Sequence, residues 1–288
     1  MTEECKVTQD KQEKSSHGNH TQGIEKLPQN ELNNIHHVIA VMSGKGGVGK
    51  SSVAALLGVK LAKKGYKVGL LDADITGPSI PKMFGIHSRA ETFEFGILPA
   101  KTPLGIEVMS LNLLLDHEDD PVIWRGPLIA GTVRQFWTDV IWGDLDYLIV
   151  DLPPGTGDAP LTVMQSLPLN GVVIVSSPQD LAVMVVKKAI KMASIMNTPV
   201  FGLIENMSYA ICPKCGEMLR LFGPSKGEEV AKATGIPYLG ALPLDPKLAE
   251  LCDQGQVEQY DSPEVEGAIN WEDIVKFGTS SGVLTRVS

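Results

Sequence analysis

The sequence predicts a single α/β domain in which helices flank a mainly parallel β-sheet. From Val38 onward, apolar strand-like runs alternate with segments of helical length. Two of these runs, 147–150 and 172–175, are continuously apolar, which is typical of strands covered on both faces. The expected strands are 38–43, 67–73, 105–111, 146–151, 171–176, 200–205 and 238–241, and the expected helices are 51–64, 127–142, 180–196 and 225–234.

Polar segments precede and follow this pattern. Residues 1–34 show neither periodicity nor a bulky apolar cluster, so we interpret them as a disordered tail. The domain is expected to occupy residues 35–255. Residues 256–288 form a C-terminal extension to which no motif assigns a role.

The first strand leads into a glycine-rich turn and then a helix. Gly44, Gly49, Lys50 and Ser51 have the G-x-x-x-x-G-K-[ST] spacing of a phosphate loop. Backbone N–H groups that surround phosphates need glycines, because side chains obstruct the close approach. Lys50 can reach the β- and γ-phosphates, and the Ser51 hydroxyl can bind Mg²⁺. The predicted nucleotide-binding residues here are Gly44, Gly46, Gly47, Val48, Gly49, Lys50, Ser51 and Ser52.

Carboxylates follow the second strand. Asp72 and Asp74 emerge at the carboxyl edge of the predicted sheet, where the phosphate loop also opens and where ligands bind in open α/β folds. A carboxylate at this place can orient the water that attacks the γ-phosphate. The alternative is that either aspartate simply caps the next segment.

A later apolar strand also ends in a carboxylate. Asp151 closes the run Tyr147-Leu148-Ile149-Val150 and is followed by Leu-Pro-Pro-Gly, the Walker B pattern. We expect Asp151 to hold the Mg²⁺ shell and Gly155 to present its N–H to the γ-phosphate.

Two cysteines on one short turn indicate a metal centre. Cys212 and Cys215 form a C-x-x-C pair, whereas a closed zinc site or a cubane iron–sulfur cluster generally needs four protein ligands. Cys5 lies in the tail, and Cys252 is expected to be a small buried side chain. A two-fold dimer would supply two identical pairs, and spacing alone favours neither zinc nor a cluster.

Several motifs together resemble the Mrp/ApbC iron–sulfur carriers, which belong to the deviant Walker A class of ATPases that also includes MinD and ParA. The class has a second lysine in the loop, as Lys45 here. The other shared features are Leu-Asp-Ala-Asp-Ile-Thr-Gly-Pro-Ser, Trp124-Arg125-Gly126-Pro127, Asp-Leu-Pro-Pro-Gly-Thr-Gly-Asp and the cysteine pair. The resemblance covers about residues 36–250.

The resemblance implies roles for individual residues. Lys45 would reach the phosphates bound by the facing subunit, unless it is only a solvated loop charge. Asp74 would act with Lys45 and Lys50 in hydrolysis. Asn206 would contact adenine, which favours ATP, although an asparagine here also suits a simple turn.

The resemblance also implies a homodimer that bridges a labile [4Fe–4S] cluster through Cys212 and Cys215, delivers it to apo-proteins, and couples this to ATP and Mg²⁺. Zinc at the same cysteines is the serious competitor, since Cys-Pro-x-Cys-Gly also resembles half a zinc knuckle. A MinD/ParA-like positioning ATPase is the alternative function.

The net charge, the lengths of the apolar runs and the cysteine content limit the partners and the compartment that we expect for the protein. The formal net charge of −9 argues against nonspecific binding to nucleic acid or anionic membranes. The sequence has no run of about 18 apolar residues and no signal-peptide pattern, so we expect a cytoplasmic protein without membrane or nucleic-acid partners. The four cysteines, including the C-x-x-C pair, suit a reducing compartment.

Overall fold

The computed structural model describes residues 29–75, 77–115, 126–179 and 183–279. The strands in these ranges are β1 Asn34–Ser43, β2 Val68–Asp72, β3 Glu91–Phe93, β4 Gly96–Leu98, β5 Ala100–Lys101, β6 Glu107–Ser110, β7 Asp144–Asp151, β8 Gly171–Ser176, β9 Val200–Ile211, β10 Met218–Leu219 and β11 Tyr238–Pro243. The α-helices are α1 Lys50–Lys63, α2 Ile80–Met83, α3 Gly126–Thr138, α4 Asp158–Ser166, α5 Val183–Ile195, α6 Gly227–Thr234, α7 Pro246–Asp253, α8 Pro263–Glu266 and α9 Trp271–Thr279. Most of the predicted tail, Cys5, Trp124 and Arg125 lie outside the described residues.

Nine strands form one mainly parallel sheet, as predicted. Their order is β10-β9-β8-β1-β7-β2-β6-β5, and β11 also pairs with β9. The pairs β5–β6 and β9–β10 are antiparallel, and the other pairs in this sheet are parallel. Strands β3 and β4 form a separate antiparallel hairpin.

The register brings the predicted acidic residues to one edge. Asp72 at the end of β2 pairs with Asp151 at the end of β7, and Asp151 also pairs with Val41 of β1. Because these strands run parallel, the phosphate loop after β1 and both carboxylates emerge at the same carboxyl edge.

The core lies on both faces of the sheet, which explains the continuously apolar strands. Val41 and Ile149 pack with Leu57 of α1 on one face, whereas Met42 and Leu148 face the opposite cluster that contains buried aromatic residues of and after α3. None of the described helices is both long and apolar enough to cross a membrane.

The segments beyond the expected domain limits also pack against the fold. Asn30 and Asn33, assigned to the disordered tail, donate side-chain hydrogen bonds of 3.0 and 2.8 Å to the carbonyls of Thr138 and Val140, so the tail expectation is wrong for residues 29–34. In the extension after residue 255, the buried residues Val257, Tyr260, Val265, Ile269, Trp271 and Ile274 belong to the cluster on the α1 face.

Several elements differ from the sequence expectation, among them β9, α4 and α7. Strand β9 continues to Ile211 because its distal half pairs with β10 and β11. Helices α4 and α7 were not predicted, although Asp245 caps α7 by accepting the Lys247 N–H at 2.9 Å and Pro246 occupies the first turn. Asp followed by Pro is a recognised helix-start signal.

Candidate functional site: a phosphate loop and a cysteine turn

The turn between Ser43 and Lys50 has the form of a phosphate loop. Gly47 and Gly49 have φ of 82° and 75°, in the left-handed region that favours glycine. A Cβ on Gly49 would lie 2.2 Å from Nδ2 of Asn206, so this position requires glycine for its close contact as well. Helix α1 begins at Lys50, and its first N–H groups lack intrahelical partners and suit an anion.

A cavity of about 260 Å³ opens beside this loop. Its lining consists of Ser43, Gly46, Gly47, Gly49, Lys50, Ser51, Ser52, Asp74, Ser79, Met83 and Pro154. Seven of these residues were predicted from the sequence. A larger cavity of about 700 Å³ lies between segments 84–91 and 98–103 and contains none of the predicted residues.

A buried ion pair lies beneath the loop. Lys50 Nζ donates to Asp151 Oδ1 at 2.6 Å, and Ser51 Oγ donates to Asp151 Oδ2 at 2.5 Å. Lys50 is 6% exposed and Asp151 is 1% exposed. The Walker B carboxylate therefore holds both residues that were predicted to contact the phosphates and Mg²⁺.

Among the described residues, two buried carboxylates, Asp72 and Asp151, lie at this edge with one buried lysine, Lys50. Burial, together with the charge of the nearby Asp151, raises the pKa of Asp72 to about 7, against the lowering effects of the Ile80 and Ser79 N–H groups and of Lys50. The pKa of Asp151 is also raised, mainly by burial and against the effect of Lys50. Two buried carboxylates thus share one lysine, and a divalent cation would supply the missing positive charge. The residues fit a Mg²⁺–nucleotide ligand.

Asp72 and Asp74 have different environments. Asp72 is 1% exposed and accepts the N–H groups of Asp74, Ser79 and Ile80 at 3.1, 2.8 and 3.0 Å. It therefore caps α2, which confirms the capping alternative for this residue. Asp74 lines the cavity and raises the pKa of Asp151 by its charge. Its part in hydrolysis stays a prediction.

The remaining loop residues lie in three settings. Val48 is buried, and a Cβ on Gly44 would meet Val185 Cγ1 of α5 at 2.2 Å. Lys45 is on the exposed side of the loop. The Gly155 N–H donates to the Ser43 carbonyl at 3.0 Å, because the turn after β7 packs against the end of β1, and its expected contact with the γ-phosphate stays a prediction.

Asn206 lies beneath the phosphate loop. It is 6% exposed, and its Nδ2 donates to the Val48 carbonyl at 2.9 Å. The structure thus shows Asn206 holding the loop backbone, while the predicted adenine contact stays a prediction.

The cysteine pair is carried on a tight turn at the end of β9. The Cys212 N–H donates to the Glu217 carbonyl and the Gly216 N–H donates to the Cys212 carbonyl, both at 2.9 Å. The N–H groups of Cys215 and Lys214 bond to the Cys212 sulfur and lower the pKa of its thiol. A thiol stabilised as thiolate in this way suits metal binding.

The cysteine turn is incomplete as a metal site. No group of three or more His, Cys, Asp or Glu side chains with metal-binding geometry occurs in the described ranges. Cys215 is exposed, whereas Cys252 is buried and burial raises its pKa to about 11. The expected buried role of Cys252 is confirmed. One copy of the described chain therefore presents two thiols.

Sequence reasoning missed three polar residues that the structure places in or beside the two sites. Ser43 is 1% exposed and lines the cavity, and its hydroxyl makes no hydrogen bond. Ser79 lines the same cavity, and the fully buried Glu205 precedes Asn206 on β9. Glu205 closes an apolar strand run as Asp151 does, so the same signal could have indicated it.

Comparison with known proteins agrees with this geometry. The family model for NUBPL iron-transfer P-loop NTPases (ParA) matches residues 34–277. Iron–sulfur cluster carrier proteins of Clostridium perfringens and Methanocaldococcus jannaschii are 51% and 49% identical, covering 79% and 78% of this chain and 82% and 78% of their own length.

Solved structures show the same fold. An ADP complex of the nucleotide-binding protein from Archaeoglobus fulgidus has a TM-score of 0.74 and 51% identity, covering 81% of this chain and 92% of its own. The cell-division ATPase MinD of Pyrococcus furiosus has a TM-score of 0.60 at 19% identity, covering 84% of this chain and 99% of its own, and is similar in fold alone.

Proposed function

The chain belongs to the NUBPL family of iron-transfer P-loop NTPases, and from this we propose that it is an ATP-dependent carrier of iron–sulfur clusters. The observation that carries the proposal is the position of two sites on one strand. Asn206 of β9 contacts the phosphate loop, and the same strand ends at the cysteine turn. A protein that binds nucleotide and cargo on one element can link them.

The nucleotide is bound by the loop of one copy. Lys50 would leave Asp151 to contact the β- and γ-phosphates, and Ser51 and Asp151 would hold Mg²⁺, which would offset the phosphate charge. The ordered N–H groups at the start of α1 add to phosphate binding. Asp74, at the wall of the cavity, orients the attacking water, and the Asn206 amide oxygen is available to the base.

The cargo is bound by two copies. The described chain has two thiols on the turn at Cys212 and Cys215, so a [4Fe–4S] cluster with four thiolate ligands takes one pair from each subunit of a homodimer. Lys45, on the exposed side of the loop, reaches the phosphates of the facing subunit. Transfer to an apo-protein is an exchange of thiolate ligands in a cytoplasmic, reducing setting.

Anaerobic reconstitution with iron and sulfide tests this function. We expect a brown protein with equal iron and sulfide contents. Its broad absorption should lie at about 400 nm, from charge transfer between thiolate and iron. Cys212→Ser and Cys215→Ser should each lose the cluster and retain ADP binding. Cys252→Ser, which changes a buried thiol remote from the turn in sequence, is the matched control and should retain both.

Two results would contradict the proposal. A colourless protein that holds zinc at the cysteine pair after anaerobic purification would instead favour a zinc-bridged ATPase. Cysteine variants that keep a full cluster would show that other residues are the ligands.

A further inference from the structure

The start of the cysteine-bearing segment touches the phosphate loop directly. Asn206 Nδ2 bonds to the Val48 carbonyl, and a Cβ on Gly49 would lie 3.3 Å from Cε of Met207. Met207 has φ of 56°, in the left-handed region that a non-glycine residue occupies only when its surroundings hold it there. A shift of the loop backbone therefore acts on residues 206 and 207, five residues before Cys212.

The neighbouring Glu205 ties together both ends of this segment. Its side chain is 0% exposed. Oε2 accepts the hydroxyls of Ser208 at 3.0 Å, Tyr238 at 3.4 Å and Ser225, and Oε1 accepts the Lys226 N–H at 3.2 Å. Ser208 lies on the outgoing strand and Ser225 on the returning chain, so one carboxylate closes the segment 206–225 at its base.

The free-energy cost of burying the Glu205 carboxylate indicates that this side chain does more than fill space in the core. A carboxylate taken out of water is stabilised only when its oxygens accept several hydrogen bonds, and apolar side chains of similar volume often stabilise a core equally well. Here the Glu205 oxygens accept hydrogen bonds from Ser208 and from residues 225–226, two chain segments that strand pairing does not join at these positions. A fully satisfied buried polar group fixes one arrangement of its partners.

We propose that Glu205 is a positioning residue that couples the phosphate loop to the cysteine turn. When nucleotide changes the loop, Asn206 transmits the change to β9, and the Glu205 carboxylate makes the segment 206–225 move as a unit rather than bend at its base. The biological meaning of the coupling rests on the proposed function, but the coupling itself is a property of the cluster-free protein.

Hydrogen exchange with and without Mg·ADP tests the coupling. ADP is the probe because it lacks the γ-phosphate through which Lys45 would engage a second copy. In the unmodified protein we expect ADP to slow exchange at the hydrogen-bonded amides of Cys212 and Gly216 by about fivefold or more, the lower range of typical coupling. Protection of the Val53 amide, which bonds to the Gly49 carbonyl in the first turn of α1, reports nucleotide binding independently.

Glu205→Gln should abolish the response at the cysteine turn and keep the response at Val53. The amide is a poor replacement for the carboxylate. With its oxygen on the Lys226 N–H, its NH₂ group faces the three hydroxyls that donated to Oε2, and each hydroxyl would have to turn its hydrogen away to accept one of only two N–H bonds. Glu229→Gln, the same change at an exposed position of α6, is the matched control and should respond fully. Ser225→Ala, at an exposed side chain, removes one donor and should give an intermediate response even if Glu205→Gln fails to fold.

The inference is overturned if ADP protects Val53 but leaves Cys212 and Gly216 unchanged in the unmodified protein, or if Glu205→Gln and Ser225→Ala respond fully. Its failure is distinct from failure of the proposed function. If the protein takes up a cluster but shows no exchange response, only the coupling is refuted. If it shows the response but takes up no iron and sulfide, only the proposed cargo is refuted.

Discussion

The nucleotide pocket and the cysteine turn differ in how much of each site one copy of the chain supplies. The pocket rests on the buried residues Lys50, Asp72 and Asp151, and its polar groups hold each other before any ligand binds. The turn has an exposed Cys215 and two thiols where a cluster needs four. A preformed pocket suits a ligand that is bound and hydrolysed in place, whereas an exposed half-site suits cargo that must leave.

The strongest test of the preformed pocket is removal of its lysine. Lys50→Ala should abolish measurable nucleotide binding and lower the free energy of unfolding by about 3 kcal/mol, because Asp151 is left buried without its cation. Isothermal calorimetry and urea unfolding measure the two effects.

A second substitution separates these two effects of Lys50. Adding Asp151→Asn to Lys50→Ala should recover part of the stability but none of the binding. Recovery of neither would show that the ion pair is not what stabilises this edge.

The two kinds of thiol should differ next most strongly. The thiolate is the reactive form, so alkylation speeds up as pH rises through each pKa. Because the pKa of Cys212 is lowered, its alkylation rate should rise at lower pH than that of an ordinary cysteine. Because the pKa of Cys252 is about 11, its alkylation rate should rise only at higher pH. At pH 8, iodoacetamide should modify Cys212 on the order of a hundredfold faster than Cys252. Equal rates by peptide mapping would contradict the assigned environments.

Lys45→Ala tests whether the pocket also needs a second copy. We expect ADP affinity to stay unchanged and ATP hydrolysis to fall by about tenfold to a hundredfold, as for loss of one charge-stabilising group. Dimer formation with a non-hydrolysable ATP analogue should weaken in sedimentation experiments. Unchanged turnover would remove the cross-subunit role, and Lys64→Ala, at an exposed lysine just after α1, is the control.

The smallest effect concerns the contact that joins the two regions. Gly49→Ala and Gly65→Ala both place a side chain at positive φ, which costs about 1 kcal/mol. Only at Gly49 would the new Cβ also meet Asn206, whereas nothing lies within 4 Å at Gly65. Thermal unfolding should therefore show a larger loss for Gly49→Ala by about 1 kcal/mol or more. Equal losses of stability in the two variants would mean that the Asn206 side chain moves away from the new Cβ at no measurable cost.

The nucleotide side could be predicted from the sequence because its signals are local. A fixed spacing identified Gly49, Lys50 and Ser51, and the strand pattern placed Asp72 and Asp151 at the same edge, where the structure has them. The Gly155 contact with the γ-phosphate stays a prediction, and the sequence did not indicate that its N–H bonds to Ser43, because this depends on how two turns pack against each other.

The link between the sites could not be predicted, because it depends on contacts between distant segments. Asn206 was predicted to contact a base, but its bond to Val48 joins residues 158 positions apart. Glu205 collects partners from as far along the chain as Tyr238, and only the folded register reveals that they converge. The unpaired hydroxyl of Ser43 is likewise visible only once the cavity is formed.

Native mass spectrometry of the anaerobically reconstituted protein tests directly whether the cargo is held between copies. We expect two chains with one [4Fe–4S] cluster, and we expect Cys215→Ser to leave cluster-free chains. A single chain that stably carries a whole cluster would contradict the shared site.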